Sequence, residues 1–190
     1  HRDLPSFPTR RSSDLWVGDG RFLLAGDRVG TIRVWSVEQR TVLKSFQGTT
    51  DPVGWMQPGG PEAIVVVAQP DLHLIPGRPC RLGLWNWAEG RELTGSMVSG
   101  LLTTAAVSPD GRWLATGQAD GPVRLERLGD FRDRNLAGGD RFAAGKVAHV
   151  DFTPDGRRLV AANQEGKIQV WDMARLDSPV KFRAHLRSIQ

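Results

Sequence analysis

A chain of 190 residues that is 39% hydrophobic can bury the core of one or two domains, and none of its apolar runs approaches the roughly eighteen residues of a membrane-spanning helix. The net charge of +4 raises nucleic-acid binding, but 21 of the 25 basic residues are Arg, a skew that GC-rich codons produce, and acidic residues interrupt them. Between Arg124 and Arg141 five Arg face Glu126, Asp130, Asp133 and Asp140, a solvated surface rather than a stripe that tracks phosphates, so no nucleic-acid partner is expected. A single cysteine, Cys80, excludes an intrachain disulfide and fits a reducing, cytoplasmic compartment.

The first segment in chain order is expected not to fold. Ser6–Leu15 reads SFPTRRSSDL, with one proline and no apolar period of 2 or 3.6. Its Arg-Arg-Ser-Ser core suggests a kinase substrate, a transit peptide or a disordered linker. It also resembles, residue for codon, a translated short-read sequencing adapter. Residues 1–15 are therefore expected to be an artefactual, disordered leader that leaves the first repeat without its innermost strand.

From Trp16 onward the chain repeats itself. VGDGRFLLAGDRVG begins at Val17, QPGGPEAIVVVAQPD at Gln57, VSPDGRWLATGQADG at Val107 and FTPDGRRLVAANQEG at Phe152. Their turn glycines, Gly20, Gly60, Gly111 and Gly156, are 40, 51 and 45 residues apart. A second landmark follows each copy: Trp35 in GTIRVWS, Trp85 in CRLGLWN, Glu126 in GPVRLER, and Trp171-Asp172 in GKIQVWD. Asp-Gly between apolar runs is a hairpin signal. Thr31–Val34 and Lys167–Val170 alternate with period 2, whereas Phe22–Ala25 and Ile64–Val67 are continuously apolar and are expected to be buried on both faces. Four short strands per unit of 40–50 residues, with no amphipathic helix, predict propeller blades.

These motifs resemble the WD-repeat (WD40) family over Trp16–Gln190. The resemblance implies an all-β, WD40-like β-propeller: an incomplete open arc of about four four-stranded antiparallel blades. Their bounds would be about 16–52, 53–99, 100–141 and 142–185, with a further blade beginning at 186–190. Departures are visible. The Gly-His that opens family repeats survives only as Ala184-His185, and the Trp-Asp pair is complete only at Trp171-Asp172. The family's hydrogen-bonded His–Ser–Asp–Trp tetrad is therefore expected to be incomplete, with packing between blades carrying more of the stability.

No catalytic residue, cofactor site or metal site is expected. His73, His149 and His185 are not spaced as ligands with each other or with Cys80. Asp19, Asp110 and Asp155 precede turn glycines, where Asp supports the turn. Cys80 is expected in a turn as an inert thiol, and Trp87 is the one off-register aromatic. The join between the second and third strands of the second repeat, Gln69–Pro79, is longer than its counterparts and carries Leu72, Leu74, Ile75 and Arg78 between prolines. Leu74, Ile75 and Arg78 are therefore the candidate partner-binding residues. The expected function is a non-catalytic protein–protein interaction scaffold, a fragment of a larger bacterial protein whose cut ends could self-associate. Two alternatives are the regulatory tail of a signalling enzyme such as a Ser/Thr kinase, and a propeller enzyme with a ligand in its channel.

Overall fold

Apolar runs separated by Gly, Asp, Asn and Pro turns fold into β-strands throughout the described residues of the computed structural model, which are 13–60, 62–68, 79–98, 100–119, 123–129, 133–135 and 146–183. The first sheet contains β1 (Ser13–Val17), β2 (Phe22–Gly26), β3 (Thr31–Ser36) and β4 (Thr41–Gln47). The second contains β5 (Val53–Pro58), β6 (Ala63–Ala68), β7 (Cys80–Asn86) and β8 (Arg91–Val98). The third contains β9 (Leu102–Val107), β10 (Trp113–Gln118), β11 (Arg124–Arg127) and β12 (Asp133–Asn135). The fourth contains β13 (Val147–Phe152), β14 (Arg158–Asn163), β15 (Lys167–Asp172) and β16 (Arg175–Arg183). Each sheet is a four-stranded meander in chain order, with antiparallel pairing. The chain divides into two compact units, residues 1–98 with the first two sheets and 99–190 with the last two.

The repeat frame is also the pairing frame. On the third strands, Trp35, Trp85, Glu126 and Trp171 stand opposite Leu23, Ile64, Leu114 and Leu159. Side chains alternate across a strand, so these residues share one face of their sheets, here termed the leading face; Ile32 and Val34 of β3 lie on the other, trailing face. In the first unit Leu24, Ile32 and Val34 of the first sheet form one core with Val53, Met56, Ile64, Val66 and Trp85 of the second. In the second unit Ala115, Val123 and Leu125 form one with Val147, Val150, Leu159, Ala161 and Trp171. The trailing face of the first sheet thus packs against the leading face of the second, and that of the third against the leading face of the fourth. Leu23–Ala25 and Ile64–Val67 are all buried.

Close approach at this junction explains a repeated glycine. A Cβ on Gly26 would lie 2.6 Å from the Val53 side chain, and one on Gly117 would lie 2.5 Å from that of Val147. Both valines open the first strand of the following sheet, and only a residue without a Cβ lets them in so near.

Two expectations need correction, and one strand departs from its counterpart. Strand β1 begins at Ser13, and Ser13, Asp14 and Leu15 pair with Gly26, Ala25 and Leu24. The first sheet therefore has its innermost strand, and the last three residues of the expected leader are ordered in it. The apolar 22–26 segment supplies an edge that any extended chain of suitable polarity can pair with. Cys80 is the first residue of β7, fully buried, and not part of a turn, because Val98 of β8 pairs with it. Finally, β15 reverses the burial of β3: Gln169 and Trp171 are buried, Ile168 and Val170 only half-buried.

Candidate interaction site

The polar side chains at the turns are committed to backbone. Ser108 and Thr153 each follow the end of a first strand and accept the N–H of the residue that reopens the hairpin, Trp113 at 2.9 Å and Arg158 at 3.0 Å. Their hydroxyls donate to Asp110 at 2.5 Å and Asp155 at 2.6 Å. Those carboxylates in turn accept the N–H of Arg112 and of Arg157. Burial pushes the Asp110 carboxyl up, but the Ser108 hydroxyl and the Arg112 N–H and guanidinium outweigh it and hold it below its usual value. At Asp155 the Thr153 hydroxyl and the Arg157 N–H lower it.

The residue after each landmark Trp does similar work. Side-chain oxygens of Ser36, Asn86 and Asp172 accept the N–H of Gln39, Glu89 and Ala174 in the turn to the outer strand. Asp172 of the one complete Trp-Asp pair is therefore an exposed turn cap. Asp27 and Asn163 cap the turns between second and third strands, Asp27 through Val29 and Thr31, Asn163 through Glu165 and Lys167. Gly20, Gly60, Gly111 and Gly156 all lie at positive φ, as hairpin turns require.

Of the landmark tryptophans, Trp85 and Trp171 are buried and Trp35 is half-buried. Glu126, in the Trp position of the third sheet, is also buried. The candidate partner residues Leu74, Ile75 and Arg78, and the boundary residue His185, lie outside the described residues. His149 is exposed on β13. Among the described residues no three His, Cys, Asp or Glu side chains gather as metal ligands, and no helix is long and apolar enough to cross a membrane.

A cleft of about 610 Å³ opens where the first-to-second-strand turns of the first two sheets meet the start of the turn after β7. Its lining includes Phe22, Pro58 and Trp87 with Asp19, Arg21 and Glu62 around them. The Phe22 and Trp87 rings are 5.3 Å apart and tilted by 48°, and the Arg21 guanidinium sits 5.8 Å over Phe22. Trp87, out of step with the repeat, is thus the buried floor of this cleft rather than an exposed stacking platform. The sequence marks Trp87 as unusual, but its partner Phe22 is 65 positions away and no local pattern joins them.

The pattern of the WD domain, G-beta repeat family matches residues 89–125 and 138–172. These two stretches are WD40 repeats. The first match starts ahead of β8 and ends on β11, so the WD40 sequence repeat is offset by one strand from the sheet it builds. The chain is similar to Actin-interacting protein 1-2 of Arabidopsis thaliana, 35% identical over 92 residues, covering 46% of this chain and 14% of that protein. It is similar to the Periodic tryptophan protein 2 homolog of Caenorhabditis elegans, 30% identical over 101 residues, covering 52% and 11%. Protein ROOT INITIATION DEFECTIVE 3 of Arabidopsis thaliana is 22% identical over 175 residues, covering 83% of this chain and 38% of that protein.

Proposed function

We propose that this chain is a non-catalytic WD40 scaffold that binds other proteins. The observation that carries the reading is the cleft between the first two sheets, an apolar floor of Phe22, Pro58 and Trp87 rimmed by charges of both signs. Exposed Asp19, Arg21 and Glu62 rim the cleft, with Arg21 Nε donating to the Gly18 carbonyl at 3.1 Å and its guanidinium over Phe22. A short apolar peptide segment with flanking charges fits such a surface better than a small polar substrate does. The names of the relatives, which include an actin-interacting protein, agree with binding as a general role, and the partners of those proteins are not transferred to this one. Leu74, Ile75 and Arg78, which lie in sequence between β6 and β7, are proposed as a second contact region.

Selection of a displayed random-peptide library against the chain tests this. Enriched peptides are expected to bind with Kd of about 1–100 µM and to lose at least roughly tenfold in affinity to the double variant Arg21→Glu, Glu62→Arg, whose melting temperature stays unchanged. Failure to enrich any peptide, or peptides that bind the variant equally well, would count against the cleft.

A further inference from the structure

The turns that form the cleft in the first unit have counterparts in the second, and the backbone fixes which residues correspond. In the first sheet Phe22 pairs with Ser36, and Val37 N–H donates to the Arg21 carbonyl at 3.0 Å. In the third sheet Trp113 pairs with Arg127, and Leu128 N–H donates to the Arg112 carbonyl at 2.8 Å. In the second sheet Trp87 N–H donates to the Glu62 carbonyl at 3.1 Å, and in the fourth Met173 N–H donates to that of Arg157 at 2.9 Å. Trp113 and Met173 thus stand where Phe22 and Trp87 stand, and both are half-buried against the core of their unit. Arg112 keeps the place of Arg21, whereas Arg157 replaces Glu62 and Arg127 replaces Ser36.

The exchange reverses the charge of the rim. Arg112, Arg127 and Arg157 are all exposed. They belong to turns that meet: Arg127 pairs beside Arg112 at Trp113, and a Cβ on Gly156, next to Arg157, would lie 3.6 Å from Pro109 of the neighbouring turn. The carboxylates among them are committed to those turns. Asp110 accepts from the Ser108 hydroxyl and the Arg112 N–H, and Asp155 from the Thr153 hydroxyl and the Arg157 N–H. Asp110 also holds the Arg112 guanidinium loosely, at 3.8 Å. The guanidinia of Arg127 and Arg157 donate no hydrogen bond and form no ion pair among the described residues.

We propose that these turns of the second unit, with Arg127 beside Trp113 and Arg157 beside Met173, bind an acidic segment of another protein: an apolar side chain with Asp or Glu on either side. The proposal rests on the scaffold reading and adds a second surface of opposite charge preference to it. A guanidinium takes a carboxylate through two parallel hydrogen bonds, and complementary charge at a rim sets which partner is accepted. Trp113 and Met173 supply the apolar contact, Met through a side chain that adapts its shape. Two free guanidinia around an apolar pair suit a short peptide, whereas a phosphate backbone calls for a longer basic track.

Two displayed peptide libraries with randomised centres, one flanked by Glu and one by Lys, test the proposal against the 190-residue chain. Glu-flanked peptides are expected to be enriched, and to bind more weakly as salt rises. Their affinity should fall at least about threefold in Arg127→Ser and at least about tenfold in Arg157→Glu. Both substitutions install the residue that the first unit carries at the matching place, Ser36 and Glu62, so the melting temperature should hold. The double variant Arg21→Glu, Glu62→Arg should bind these peptides as the parent chain does. Enrichment of no Glu-flanked peptide overturns the proposal, as do peptides that bind Arg157→Glu equally well or that are lost in the double variant. A single-stranded oligonucleotide of equal charge that binds as tightly also overturns it. Peptides that still bind at the Arg21–Glu62 cleft would then leave the scaffold reading standing. Conversely, Arg157-dependent binding without any at that cleft would remove the cleft and keep this site.

Discussion

At the scale of single residues, the Ser108–Asp110 and Thr153–Asp155 turns show how Asp and a hydroxyl share one hairpin. The hydroxyl receives a backbone N–H, donates to the carboxylate, and leaves that carboxylate a second backbone N–H to accept. Because the folded carboxyl of Asp110 titrates below its unfolded value of 3.8, it adds stability that is fully present above that value and lost as the pH falls through the folded one. Asp110→Asn should therefore lower the melting temperature at pH 7, and the gap to the parent chain should close as the solution is acidified through the folded Asp110 value. Thermal melts over a pH series check this, and a gap that is constant with pH would show that charge plays no part. The Asp-Gly turns are legible in the sequence, since the reason for them is local. Gly30 is not marked by any such dipeptide. It lies at φ +82°, where a Cβ would fall 2.0 Å from the Thr49 carbonyl oxygen, a contact made by the loop 19 residues on.

At the scale of strands, burial is set by the neighbouring sheet and not by the strand's own pattern. Ile32 and Val34 read in the sequence as Ile168 and Val170 do, yet the first pair is buried and the second is half-buried. Trp35 and Trp85 occupy one register position and differ in the same way. Period 2 locates a strand and cannot say whether another sheet will cover it, which is why strand positions were legible and exposures were not. Trp85→Ala, at the centre of a junction, is expected to cost about 3–5 kcal/mol, and Trp35→Ala distinctly less. Urea unfolding of the two variants measures the difference, and equal losses would argue that the junction gives Trp85 nothing extra. Gly117→Ala pushes a methyl into Val147 and Thr104 and is expected to cost about 1–3 kcal/mol, of which Val147→Ala in the same chain should recover a part. Additive losses in the double variant would contradict the close approach.

At the scale of the whole molecule, each unit is two four-stranded sheets joined by a junction of one design: aromatic and aliphatic layers, a glycine that admits a valine, and a hydroxyl that takes a backbone N–H. Repeats of 40–50 residues announced the blades, but the Phe22–Trp87 cleft and the junction hydrogen bonds join residues 43–65 positions apart and are invisible to any local pattern. The most direct measurement is amide hydrogen exchange at Met56 and Val150 in the parent chain and in Ser13→Ala and Thr104→Ala. Both amides should be protected in the parent, Ser13→Ala should speed exchange at Met56 alone, and Thr104→Ala should do so at Val150 alone. Rapid exchange of both amides in the parent chain, or rates that ignore the loss of the hydroxyls, would contradict a shared junction.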